Sequence, residues 1–427
     1  MMMEIGLGLT VVLFLLGIPI WAALSLGGMF LLLLEIGTPE TNIPLTFFGS
    51  IDSFTLMAIT FFLFAGSIMA TCGPSKYIYD VVNSFFGRSR GGLAITTVVM
   101  CMVYAAITGS STATLAGVAE VALPEMMKAG YSRKFCGGLL AASSTLGQMI
   151  PPSIYMIVYA SMVQANTGEL FIAGVIPGVL CGVVLCVMAY FLSPKDLVEV
   201  TDKSIYSWQH RRAALLKGLP AIIMPIIVLG GIYTGMVTPT EAGGVAIVYS
   251  LLISTFLYRT ITLDALKRSL VSTAQSNSMI FILIAGALLF ANPIAFAQIP
   301  QLVSEYIVSM ELGNTELLFA IAIAYIIAGC VLDSLPILYL TIPVLYPALV
   351  ATGVNLVHFN IIMVLCMQIG QITPPFGMAM YVAAGVCKAP VGDVSKDSMK
   401  YLIAYCVILV FIILFPQISL FLPSLMF

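Results

Sequence analysis

The sequence predicts an all-α polytopic membrane protein built from two inverted-topology repeats, each with a re-entrant hairpin and a broken helix. Three observations carry that expectation. Of 427 residues, 60% are hydrophobic and only 8% are charged, whereas a soluble domain carries about 25% charged residues. The segment Gly147-Gln148-Met149-Ile150-Pro151-Pro152 returns 223 residues later as Gly370-Gln371-Ile372-Thr373-Pro374-Pro375. Basic connections in one half match cation-free connections in the other.

The opening stretch has no basic n-region and no small-residue cleavage site, so it reads as mature sequence. Residues 4–17 and 19–34 form two short spans split at Gly17–Pro19, which places the N-terminus outside. A third span covers 53–72. The amphipathic run 75–90 is either an arm along the interface or an extension of that span. Residues 91–128 enter and return as a hairpin with its tip at Ile107–Thr112. A broken helix over 135–163 and a span over 171–192 complete the first repeat, 1–193. The most polar stretch, 194–217, is a cytoplasmic linker. The second repeat, 218–427, repeats this plan. Its spans are 219–236, 240–258 and 276–298, and the run 299–310 is either an arm along the interface or a helix extension. A hairpin (315–351, tip Cys330–Ser334), a broken helix (358–386) and a span (401–423) follow. Windows of roughly 20 apolar residues are what a bilayer requires.

At the offset of 223, Ala105, Ser111, Pro124 and Gly130 fall on Ala328, Ser334, Pro347 and Gly353. Lys and Arg near span ends stay cytoplasmic. Arg88, Arg90, Lys128, Arg133 and Lys134 fall on Glu311, Gly313, Ala351, Leu356 and Val357, and no Lys or Arg occurs between Arg268 and Lys388. Opposite orientations of the two halves place all 17 Lys and Arg on the cytoplasmic side.

The double prolines ask for a reason. Proline lacks an N–H and clashes with the carbonyl four residues back, at about 3 kcal/mol inside a helix. Pro151 and Pro152 would free the carbonyls of Gly147 and Gln148, and Pro374 and Pro375 those of Gly370 and Gln371. Free carbonyls at membrane depth must face protein or a polar cavity. Inverted repeats with broken helices at mid-membrane are the layout of secondary transporters, where such carbonyls hold the coupling ion. Each hairpin tip facing its own break would form an oxygen cage for a small monovalent cation. A carboxylate substrate would lie between the cages, near Thr108, Ser110, Gln148, Ser153, Asp333, Ser334 and Gln371.

Two acids fall inside membrane segments, where a charge costs roughly 2.5–3.5 kcal/mol on insertion scales. Asp333 would serve an ion or the substrate, directly or through water, or cap the returning arm. Glu120 has no account beyond a hydrogen bond to a neighbouring helix. Glu241 would cap a span end. The net charge of −2 gives no case for nucleic-acid binding, and the nine scattered cysteines and two distant histidines form no metal cluster. No HExxH or Walker A pattern occurs, so neither an intramembrane metalloenzyme nor ATP hydrolysis is expected. A passive channel leaves the two repeated breaks unexplained.

The runs TGSSTATLAGVAEVALPEMMKAGYSRKF, LGQMIPPSIYMIVYA, LFIAGVIPGVL, VTPTEAGG and IGQITPPFGMAMYVAAGV resemble the large membrane subunit of TRAP (tripartite ATP-independent periplasmic) transporters along nearly the whole chain. The resemblance implies sodium-driven import of a small organic acid across the bacterial inner membrane, without ATP. It also implies an elevator movement of hairpins and broken helices against a fixed scaffold. It implies two partners, a small membrane subunit, expected as a separate chain, and a periplasmic substrate-binding protein. Sodium ligands carried over by motif are Ser110, Ser111, Gly147, Ile150 and Pro151 at one site. At the other they are Gly329, Leu332, Asp333, Gly370, Thr373 and Pro374. Glu120 departs from the family pattern. A stand-alone sodium/carboxylate symporter or ion exchanger without a delivery protein stays open as an alternative.

Overall fold

A computed structural model describes residues 2–89, 91–194 and 207–426. Arg90 and linker residues 195–206 lie outside the described residues. Helices α1 (Met2–Leu15), α2 (Ile20–Leu34), α3 (Asn42–Gly49), α4 (Phe54–Thr71) and α5 (Pro74–Phe86) open the chain. The first hairpin is α6 (Gly92–Thr108) and α7 (Ser111–Lys128), followed by α8 (Arg133–Ser144), α9 (Ile154–Val163) and α10 (Thr167–Leu192). The second half contains α11 (Trp208–Tyr233), α12 (Pro239–Leu252), α13 (Leu263–Phe296) and α14 (Ile299–Ser309). Its hairpin is α15 (Asn314–Gly329) and α16 (Ser334–Ala351). Then come α17 (Leu356–Gln371), α18 (Met378–Cys387), α19 (Val391–Leu414), α20 (Gln417–Leu420) and α21 (Pro423–Met426).

Among the described residues, seven helical segments are long and apolar enough to cross a membrane: α4, α10, α11, α12 with its π-turn to Leu257, α13, α16 and α19. Shorter apolar helices fill the places where breaks and hairpins are expected. Gly17 takes a left-handed φ of +78°, and Pro19 precedes α2, so 2–34 is two short helices. Gly73 (φ +90°) and Gln298 (φ +55°) separate α5 from α4 and α14 from α13. The arms are therefore helices in their own right, not extensions of the spans.

Five boundaries differ from expectation, one of them the start of α19 at Val391 rather than at 401. Helix α3 falls in a stretch read as connection. Helix α11 starts at Trp208, capped by Ser207, and α13 starts at Leu263, capped by Thr262. Both carry polar N-terminal turns that form good helix but leave no hydropathy signal. The last span stops at Leu414 before Pro416, and short turns continue to Met426.

Small residues set the packing, as membrane interiors favour. A methyl group on Gly28 would stand 2.6 Å from the Leu289 carbonyl oxygen, and one on Gly286 would stand 2.6 Å from that of Trp21. This holds α2 against α13. Gly243 likewise seats α12 against α4 at Phe61. Around α4 and α13 the hairpins and broken helices share one continuous apolar core.

Candidate functional site

The first tip is built by the end of α6. Gly109 takes φ +63°, Ser110 is extended, and α7 starts at Ser111. The Thr108 hydroxyl shares a 2.8 Å hydrogen bond with that of Thr114, and the Ser110 hydroxyl lies 3.2 Å from that of Thr112. Facing this tip, α8 tightens into a 3-10 turn (Thr145–Gln148) and the chain unwinds to Ser153, which caps α9. The Pro151-Pro152 and Pro374-Pro375 bonds are both cis. Tip and break meet backbone to backbone. The Ile154 N–H donates to the Gly109 carbonyl at 3.2 Å. A methyl group on Gly147 would come within 2.6 Å of the Ser110 carbonyl oxygen and 2.8 Å of the Thr114 hydroxyl. One on Gly109 would meet the Pro152 carbonyl oxygen at 2.4 Å.

The second tip follows Gly329. Asp333 occupies the N-cap position of α16 with an extended backbone, yet its side chain makes no capping bond. Its carboxylate accepts from the Gln371 amide at 3.0 Å instead. Gly370 touches Gly329, where an added methyl group would stand 2.5 Å from backbone carbon. The Phe376 N–H donates to the Cys330 carbonyl at 3.1 Å. Here the two sites differ. Pro151 and Pro152 are buried, whereas Pro374 and Pro375 are exposed. A cavity of about 260 Å³ opens beside the second tip, lined by Gly329, Leu332, Asp333, Phe376, Gly377 and Tyr381.

One expectation is corrected. Not every carbonyl released by a proline is left open. The Ser153 hydroxyl donates to the Gln148 carbonyl at 2.6 Å, and the Thr373 N–H donates to that of Gly370 at 3.0 Å. The Gly147 carbonyl escapes the helical ladder, because the Ile150 N–H goes to Leu146 at 2.9 Å and Pro151 has no N–H.

Between the tips runs a buried polar chain. The Ser111 hydroxyl donates to Gln371 Oε1 at 3.0 Å, and Gln371 Nε2 donates to Asp333 at 3.0 Å and Ser334 at 3.2 Å. Gln148 Nε2 donates to the same Ser334 hydroxyl at 3.4 Å, and Tyr155 faces both glutamines and Asp333. Further along, Gln368 Nε2 donates to the Thr145 carbonyl at 3.0 Å, and the Thr145 hydroxyl lies 2.9 Å from that of Tyr405. The residues named from sequence thus gather at two tips and one connecting chain. Tyr155, Thr145, Gln368 and Tyr405 were missed. For Tyr155, Thr145 and Gln368 the signal is a polar atom near a break in an otherwise apolar window, whereas Tyr405 lies on α19, far from either break in sequence. Glu120 stays apart, exposed on α7. Glu241 forms a capping box with Thr238, the role expected of it.

Residues 7–418 match the family model of the tripartite ATP-independent periplasmic transporter, DctM component. The chain belongs to this family. It is 36% identical over 403 residues to the C4-dicarboxylate TRAP transporter large permease protein DctM of Pseudomonas aeruginosa, covering 94% of each chain. It is 33% identical over 407 residues to the isethionate TRAP transporter permease protein DctMQ of Oleidesulfovibrio alaskensis, covering 95% of this chain and 64% of that longer one. In fold it is similar to MtrF of Neisseria gonorrhoeae, an antimetabolite efflux pump, with a TM-score of 0.60 and 11% identity over 89% of this chain and 85% of that one. Its DctM relatives are transporter permeases, and the protein is a multi-pass membrane permease rather than an enzyme.

Proposed function

We propose that the protein imports a small organic acid by sodium-coupled symport across the bacterial inner membrane. In this reading the halves are inverted copies. The hairpins and broken helices move together as an elevator against a scaffold built around α4 and α13. One observation carries it: the polar chain that ties each tip to the opposite break. Ser111 bonds Gln371, and Gln148 bonds Ser334. These four residues exchange places under the offset of 223. Reciprocal contacts of this kind are what a two-fold relation between copies produces. Thr145 and Gln368, which also match each other, touch, as residues on such an axis must.

Sodium at each tip would be held by the Ser110, Ser111 and Gly147 region and by the Asp333, Gly370 and Thr373 region. The Asp333 carboxylate would be neutralised by its ion before an anion approached. The substrate would then meet hydroxyls and amides at the joint between the tips, with Gln148, Gln371, Ser334 and Tyr155 within reach. The P. aeruginosa relative is named for a C4-dicarboxylate and the O. alaskensis one for isethionate. The shared chemistry is a small organic anion, and the substrate of this chain is left at that class. A periplasmic protein delivers it, and a small membrane subunit buttresses the scaffold.

The test is uptake into proteoliposomes. With delivery protein present, uptake should follow an inward sodium gradient and vanish when potassium replaces sodium. Equal uptake on either gradient ends the sodium proposal. Full uptake of free substrate without the delivery protein would assign the chain to stand-alone symporters.

A further inference from the structure

Where α12 hands over to α13, the backbone departs from a plain helix. In the π-turn the Tyr258 N–H donates to the Ile253 carbonyl, five residues back, at 2.8 Å. Arg259 then takes a left-handed φ of +53°, a region that side chains other than glycine seldom occupy. The Thr260 N–H returns to the Ser254 carbonyl at 3.0 Å, and its hydroxyl donates to the Cys72 carbonyl at the end of α4.

The result is a locked joint between four elements. The Tyr258 hydroxyl donates to the Lys217 carbonyl in α11 at 2.7 Å, and its ring stacks on that of Tyr77 in α5 with centres 4.5 Å apart. Lys76 precedes that stacked ring, Lys217 carries the accepting carbonyl, and Arg259 follows Tyr258. From the first turns of α13, Arg268 faces Cys72. Four cations from separate segments thus gather around one joint, and all four are exposed. Asp80 faces Lys76 and Lys217, and Asp264 stands one turn before Arg268. Among the described residues neither acid closes an ion pair with any of the four, whereas Lys128 and Lys400 are taken up by Glu125 and Asp397.

Beside the cations the surface turns apolar. Leu216 and Phe256 are 65% and 73% exposed, and Leu252, one turn before Phe256, is exposed as well. Helices α11 and α12 pack against each other here, with the Tyr249 hydroxyl donating to the Pro220 carbonyl at 2.8 Å.

We propose that this joint binds the headgroup of an anionic phospholipid. Its phosphate would be held by Lys76, Lys217, Arg259 and Arg268, and its acyl chains would lie along Leu216, Leu252 and Phe256. The tendency of cations to stay cytoplasmic asks only for a side of the membrane. It asks for no locked joint, no left-handed arginine and no apolar shoulder. Basic pockets between helices at this boundary suit lipid phosphates. A zwitterionic lipid would bring its own ammonium among the cations, and a soluble phosphate would leave the shoulder unused. The bound lipid would brace α5 against α11 and α13.

Native mass spectrometry of the complete, lipid-stripped permease complex tests it. Phosphatidylglycerol and phosphatidylcholine with identical chains are offered in equal amounts. Phosphatidylglycerol should be retained about fivefold or more over phosphatidylcholine. Lys217→Gln with Arg259→Gln should abolish that preference, and the charge-keeping Lys217→Arg with Arg259→Lys should retain it. Lys388→Gln with Lys396→Gln removes the same charge from exposed positions away from the joint, and it should leave the preference intact. Excess inorganic phosphate should not displace the lipid. Equal retention of the two lipids overturns the proposal. So does equal loss in the two charge-removing variants, which would leave only diffuse attraction, or displacement by inorganic phosphate, which would make the joint a site for a soluble anion. Sodium-driven uptake is decided apart from each of these results.

Discussion

Asp333 shows how a single side chain divides two readings that sequence leaves open. It stands where a capping residue would stand, but it spends its carboxylate on Gln371 and on the wall of an open cavity. Asp333→Ala should therefore lower initial uptake at least tenfold and flatten its dependence on sodium concentration. Thermal unfolding in detergent should change far less than uptake, because Gln371 still reaches Ser334. Uptake measured against sodium concentration decides, and an unaltered dependence would assign Asp333 to structure. Residue by residue, the sequence exposes the donors and acceptors but not their pairing. Ser111 and Gln371 lie 260 positions apart, and no local pattern says which amide a serine will meet. Ser153 has a structural use the sequence did not show. Its place after the double proline reads as a ligand, and the fold uses it to quench the Gln148 carbonyl and cap α9.

At the scale of elements, hairpin tips press on broken helices through glycine. Gly147→Ala and Gly370→Ala would each drive a methyl group into backbone at 2.6 Å and 2.5 Å. Overpacking of this kind costs about 1–3 kcal/mol, and here it would part the tip from the break. Both variants should lose melting temperature and most uptake. Gly385→Ala in α18 has open space around it and should be neutral or stabilising by up to about 1 kcal/mol. Comparable losses in all three would show that the glycines matter for helix flexibility rather than contact. Existence and type of nearly every helix were legible from apolar windows, double prolines and the Gly17–Pro19 split. The polar starts of α11, α13 and α19 were not, because polar turns leave no apolar window, and the eight-residue α3 is too short to register as a span. Bilayer length therefore says nothing about where such helices begin.

For the whole molecule, charge is the legible quantity. The loops that hold cations and the loops that lack them alternate between halves, and the proposed opposite orientation of the halves rests on that pattern. A cysteine at Ser309 in α14 should react with an impermeant maleimide added to intact spheroplasts. One at Lys128, at the end of α7, should react only after lysis. Labelling of both from one side would mean that the halves run in parallel, and the two-fold relation would then stand along the membrane normal.

The touch between Thr145 and Gln368 has a bearing on ancestry. In a forerunner assembled from two separate identical chains, this position would have met its own image, so a long amide there would have collided with a second long amide. On the proposed reading, joining both modules in one chain would have let one member grow while the other shrank. The carboxamide of Gln368 now reaches the backbone carbonyl of Thr145, where two long amides facing each other would have collided.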